Sequence, residues 1–236
     1  MNSSFPLPKP LKRGSGGAAG RAARLVVLGQ SGVGKTAMTV RFITRRFIGE
    51  YDPTLETIYR HSTGIDGEMV QFEILDTAGQ EEDNMLLEEK IKWGEGFLIA
   101  YSVTDRCSFD EVMRLRFLVN HAHACGRRGP SAADPPPALV VANKRDLQFD
   151  RMVSVAEGEA LAAALRCPFA EVSARDSYEE VLAAFEALHR EMLRQSGGSP
   201  GAHKRKMSSK IMDRMPRFPA SPSVNGTGRT FTFSSN

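Results

Sequence analysis

Residues 24–42 read RLVVLGQSGVGKTAMTVRF, and the fold turns on whether the glycines in the middle make a phosphate loop or an ordinary turn. The apolar run 24–28 stops at Gly29 and reads as a buried strand. After Thr36, the apolar residues Met38, Phe42 and Ile43 share one helical face, which predicts a helix over 36–47. Between strand and helix lies Gly29-Gln30-Ser31-Gly32-Val33-Gly34-Lys35-Thr36, with Ala37 next in the helix. Phosphate chemistry needs this pattern. Glycines let the backbone curl until its N–H groups face one phosphate. The helix that follows adds partial positive charge. Lys35 is placed for the β- and γ-phosphates, and the Thr36 hydroxyl for Mg²⁺. A glycine-rich turn with no ligand would share these letters but would not need both flanks.

Outward from the loop, strand and helix patterns alternate. Strands are predicted at 57–65 and 69–75, joined at Asp66-Gly67, a pair suited to a tight hairpin. Helices are predicted at 84–93, 109–124, 153–165 and 178–193, and strands at 98–103, 138–143 and 168–173. Ser154 with Glu157 three residues on reads as a capping box. The order specifies an α/β sheet, mostly parallel, with one hairpin at an edge. Ligands of such sheets bind beyond the carboxyl ends of the strands, where each further motif falls.

NKRD, 143–146, ends the fifth strand. Asn143 and Asp146 can read two edges of a purine, and Asp146 can accept two N–H bonds from guanine. Adenine offers no such pair and would set its N1 acceptor against a carboxylate. The stem of Lys144 can lie along the ring. Alone, this four-letter motif would read as a strand-end turn; after a phosphate loop it names the base. DTAGQEE, 76–82, ends the third strand. Asp76 can hold Mg²⁺ through a water, Gly79 can aim its N–H at a γ-phosphate, and Gln80 can orient an attacking water. In YDPTLE, 51–56, Thr54 is the candidate second hydroxyl on Mg²⁺.

With GQSGVGKT, YDPTLE, DTAGQEE, NKRD and SAR in this order, the stretch 24–195 resembles a Ras-type small GTPase. RRFIGEYDPTLETIYRH and the WGEGF of 93–97 resemble the estrogen-regulated growth-inhibitor branch. The resemblance implies a three-layer P-loop GTPase fold, a six-stranded mostly parallel sheet with one antiparallel edge strand, and about five helices. It implies GTP/GDP and Mg²⁺ as ligands, and a GTPase acting as a signalling switch, with Lys35, Thr54 and Gln80 catalytic; Ser31 makes the expected intrinsic hydrolysis slow. It further implies that Phe47 packs against the guanine and Tyr51 folds over the phosphates. Within Ser173-Ala174-Arg175, it implies that the Ala174 N–H meets the guanine oxygen. Protein effectors, an exchange factor and an activating protein are the implied partners of a monomer.

Departures qualify this. Ser31 stands where Ras proteins proper have glycine, and a side chain there can obstruct the catalytic glutamine or an incoming arginine. DNMLLEEK, 83–90, replaces the usual aromatic-bearing second switch, and 126–138 is a proline-rich insertion read as a surface loop. Residues 1–23 and 196–236 read as disordered basic extensions. The net charge is +3, yet the stretch 25–195 alone is acidic, which argues against a nucleic-acid-reading domain. Cys107, Cys125 and Cys167 show neither disulfide nor metal-site spacing. No cysteine follows Cys167, so no prenyl anchor is expected; weak contact of the basic tail with acidic membrane remains open. The expected location is the cytoplasm, with diffusion into the nucleus open. Ser208, after basic residues 204–206, is a candidate phosphorylation site. Two rival readings stand beside the switch: a GTP-binding interaction module that does not cycle, and an ATP-using nucleoside or nucleotide kinase.

Overall fold

A computed structural model describes residues 21–49, 57–77, 84–124 and 135–197. Tyr51, Thr54, Gly79, Gln80, Cys125, most of the proline-rich insertion and Ser208 lie outside the described residues.

Six strands form one sheet in the order β2-β3-β1-β4-β5-β6. They are β1 (Ala23–Leu28), β2 (Thr57–Ile65), β3 (Glu68–Asp76), β4 (Gly96–Ser102), β5 (Ala138–Asn143) and β6 (Phe169–Glu171). Only β2, at the edge, runs antiparallel to its neighbour. The helices are α1 (Lys35–Thr44), α2 (Asn84–Trp93), α3 (Arg106–Ala124), α4 (Val155–Ala164) and α5 (Tyr178–Gln195). This is the three-layer α/β architecture that the motif order implies.

The central strands are apolar on both faces because helices cover both. Successive side chains of β1 go to opposite sides. Val26 and Leu28 join a core with Ile91 of α2 and Val112 and Val119 of α3. Leu25 and Val27 join the other core with Phe42 of α1 and Phe185 of α5, whose rings stack 4.1 Å apart. The sequence order reverses beside β1, which pairs with β3 on one side and β4 on the other. The crevice at the carboxyl end of β1 is therefore the topological switch point, where ligands bind in such sheets.

Local signals act as their chemistry requires. Asp66 and Gly67 both take positive φ, 51° and 85°, as a two-residue hairpin demands. The capping box is made: Glu157 N donates to Ser154 Oγ at 3.3 Å, and Ser154 N to Glu157 Oε2 at 2.9 Å. Boundaries differ from the predicted ones by up to three residues: β4 begins at Gly96, α3 at Arg106, and β6 ends at Glu171. α1 stops at Thr44 rather than Phe47, because Arg45 adopts φ 62° and its N–H closes on the Arg41 carbonyl. That early stop turns Phe47 out of the helix.

Two arginines, Arg116 buried and Arg24 half-buried, shape the far side of the sheet. Arg116 of α3 is only 2% exposed and donates from Nη1 to the Pro136 carbonyl at 2.8 Å, fixing the chain as it enters β5. Arg24 lies 5.5 Å over the Trp93 ring and donates to Glu95 Oε1 at 3.1 Å, tying the end of α2 to β1. No described helix is long and apolar enough to cross a membrane.

Candidate nucleotide site

A cavity of about 400 Å³ opens at the switch point. One end is lined by Ser31, Gly32, Gly34, Lys35, Thr36 and Ala37 of the glycine loop and α1. The other is lined by Phe47, Asn143, Lys144, Asp146, Ala174 and Arg175. Segments more than a hundred residues apart in sequence thus share one wall.

The loop end is built by backbone. Gly34 has φ 94°, and a Cβ there would stand 2.4 Å from Asn143 Nδ2. Only glycine fits both restrictions. No side chain caps α1, whereas Ser154 and Ser177 cap α4 and α5. The first-turn N–H groups of α1 therefore stand at the cavity wall without a side-chain acceptor, the arrangement that receives a phosphate. Lys35 is 6% exposed, and its Nζ donates to the carbonyls of Gly29 and Gln30, each at 2.9 Å. Burial lowers its pKa to about 8, against a smaller opposing pull from Asp76.

Asp76 ends β3, buried, with its Cα in register with Val27 of β1. Thr77 lines the cavity and donates its hydroxyl to the Val27 carbonyl at 2.8 Å. Thr36 in the cavity wall and the buried Asp76 beside Thr77 are the described residues whose oxygens would hold Mg²⁺ at this end. No cluster of three or more His, Cys, Asp or Glu side chains occurs among the described residues. That sparse oxygen set suits Mg²⁺, which takes one or two protein ligands and leaves the rest to water and substrate phosphates.

The base end is built by side chains that also hold one another. Asn143 Nδ2 donates to the Val33 carbonyl at 2.8 Å, and its Oδ1 accepts the Ala174 N–H at 3.2 Å. It joins the glycine loop to the SAR turn, and each polar atom keeps one site for a ligand. Asp146 accepts the Ser173 hydroxyl at 2.7 Å. Lys144 takes φ 66°, a left-handed conformation that turns the chain between Asn143 and Asp146. Phe47 is 41% exposed at the mouth of the cavity.

Sixteen residues line the cavity. They join a glycine loop at a helix N-terminus to the NKRD and SAR turns in one continuous wall. A sequence profile of the Ras family matches residues 24–194. The chain belongs to the Ras family. This Ras-family small GTPase is 45% identical over 172 residues to the human protein named Ras-related and estrogen-regulated growth inhibitor, covering 73% of this chain and 82% of that one. The Bos taurus protein of the same name is similar to the same extent. Ras-like protein 1 of Saccharomyces cerevisiae is 40% identical over 189 residues, covering 80% of this chain and 58% of that protein. The branch read from the sequence is thus matched by relatives of that name. Guanine nucleotide and Mg²⁺ are typical ligands of the family, and regulators and effectors its typical partners.

The expected site residues divide by position. Gly29, Gln30, Val33, Asp76 and Ser173 do not line the cavity, but each stands directly behind it. Gly29 and Gln30 lend carbonyls to Lys35, Val33 lends its carbonyl to Asn143, and Ser173 holds Asp146. Thr77, Ile48, Gly49 and Leu147 line it and were not singled out. Thr77 lies inside DTAGQEE, Ile48 and Gly49 lie inside the 45–61 stretch, and Leu147 follows NKRD, so membership of or neighbourhood to these stretches is the signal that marks them.

Proposed function

We propose that this chain is a GTP/GDP-dependent signalling switch that hydrolyses GTP slowly to GDP and phosphate. The observation that carries the reading is the continuity of one cavity from Lys35 and Thr36 to Asp146 and Ala174. Asp146 accepts two N–H groups of guanine on the carboxylate that Ser173 steadies. The Ala174 N–H, donated to Asn143 Oδ1 in the empty chain, is shared with the guanine oxygen, and Phe47 with the stem of Lys144 covers the ring. Lys35 leaves the loop carbonyls for the β- and γ-phosphates. Thr36, Thr54 and Asp76 would hold Mg²⁺ beside the nucleotide, and the ion would supply charge neutralisation at those phosphates. Gln80 orients the attacking water, while Thr54 and Gly79 tether their segments to the γ-phosphate and release them once it is lost. Tyr51 folds over the phosphates.

The test is the fate of bound GTP. The purified chain is loaded with GTP and Mg²⁺, and bound GTP and GDP are followed by chromatography over hours, beside Gln80→Leu. Slow conversion, slower in the variant, supports the switch. A chain that prefers ATP would sink it.

Ser31 at the cavity wall favours one second reading, a module that holds GTP without useful turnover. GTP retained without conversion in both proteins would select it. The likeness to proteins named growth inhibitors makes restraint of growth the biological output to test. Equal proliferation of cells expressing the chain and its Lys35→Ala variant would remove that proposal.

A further inference from the structure

The base end is braced by a helix that carries none of the motifs. α5 starts on Ser177, whose Oγ accepts the Glu180 N–H at 3.2 Å and so fixes the helix's first turn. Glu180 projects from that turn and is engaged on both oxygens. Oε2 accepts the Ser173 N–H at 2.9 Å, and Oε1 pairs with Nη2 of Arg145. Ser173 donates its hydroxyl to Asp146 Oδ1 at 2.7 Å, and Asp146 follows Arg145 in the chain. The contacts close a ring: Glu180 to Ser173, Ser173 to Asp146, Asp146 through the backbone to Arg145, and Arg145 back to Glu180. The same turn of α5 carries Tyr178, whose ring lies 5.4 Å beneath the guanidinium of Arg45, two residues before Phe47. One turn of helix therefore touches all three segments that line the base end.

We propose that Glu180 is a positioning residue for guanine recognition, setting Asp146 and the Ser173–Ala174 peptide relative to each other before the base arrives. The proposal rests on the guanine reading above. Its physical basis is that hydrogen bonds weaken steeply with misalignment, so a carboxylate that reads two N–H groups must be held still. Ser173 is buried, and its N–H loses its acceptor if Glu180 is truncated. Arg145 loses its partner in the same step, and the turn that carries Asp146 loosens. An exposed ion pair alone would contribute little. Here the charge-assisted bond to a buried amide makes the contact directional.

The test compares release of GDP and of inosine diphosphate, which lacks the 2-amino group that Asp146 reads. It uses the full chain, Glu180→Ala and Glu180→Gln, with Arg145→Ala entering the ring from the other side. GDP release should quicken about tenfold in Glu180→Ala and less in Glu180→Gln. Release of inosine diphosphate should change less, so the preference for GDP shrinks. Equal acceleration of both nucleotides, or a lower melting temperature with an unchanged preference, would show a merely structural role and overturn the proposal. If Glu180→Ala does not fold, the preference of Arg145→Ala decides alone. If the unaltered chain retains neither nucleotide, the guanine reading itself fails and takes this proposal with it.

Discussion

The two ends of the cavity are finished to different degrees. At the base end the polar groups already hold one another: Asn143 with Val33 and Ala174, Asp146 with Ser173, Ser173 with Glu180. At the phosphate end Lys35 folds back on its own loop, and α1 starts without a side-chain cap. A ligand meets a prepared selector at one end and completes the structure at the other. Choice of base then costs little reorganisation, whereas the number of phosphates changes what the loop can bind. A switch needs that asymmetry: constant grip on the base, variable contact at the phosphates.

The largest test of the contrast is Lys35→Ala. Removing the one buried cation of the phosphate end should weaken GTP and GDP by about a hundredfold or more, with the melting temperature of the empty chain scarcely lowered, measured by titration and thermal unfolding. Asn143→Ala should behave oppositely. It removes two bonds that join the loops, so the empty chain should lose about 2 kcal/mol of stability as well as affinity, read from denaturant unfolding. Unchanged stability in that variant would break the idea of a prepared base end.

Acidity offers a third test. The Lys35 pKa of about 8 lies below its ordinary 10.5 in the folded, empty chain, while bound phosphates favour the charged form. Nucleotide affinity should therefore fall as pH rises above about 8, by up to about tenfold per unit, with proton uptake on binding visible by calorimetry in two buffers. Stability of the empty fold has the opposite sign. Between pH 8 and 10.5 the unfolded chain holds more protons at this residue, so its contribution makes the empty fold more stable as pH rises. The smallest effect is expected from Ser31→Gly, a few-fold faster single-turnover hydrolysis if the serine side chain crowds the attacking water. No change would remove the steric account.

What the sequence makes legible is whatever chemistry is local. GxxxxGKT, the Asp66-Gly67 hairpin and the Ser154–Glu157 box each act within a few residues, and each takes the expected geometry. The early end of α1 is not legible, because no breaker stands at Arg45 and its left-handed turn answers to tertiary contacts, among them Tyr178. Glu180 is invisible for a related reason. Its partner Arg145 lies 35 residues away, at the position of NKRD to which the motif assigns no role, and Glu180 itself belongs to no motif. Motifs mark residues that act within a few positions of one another, and they pass over a brace that comes from a distant helix.

The chain has one tryptophan, Trp93, buried under Arg24 at the last turn of α2. That helix begins directly after the DTAGQEED stretch at 76–83. The chain therefore carries its own optical probe at the end of α2 opposite to the one that follows this stretch. Its emission comes from a single indole in contact with a cation, and any slide or tilt of α2 against β1 alters that contact. In the proposed switch, exchange of GTP for GDP would be followed without a label, and the amplitude of the change would measure how far along α2 the loss of one phosphate is felt.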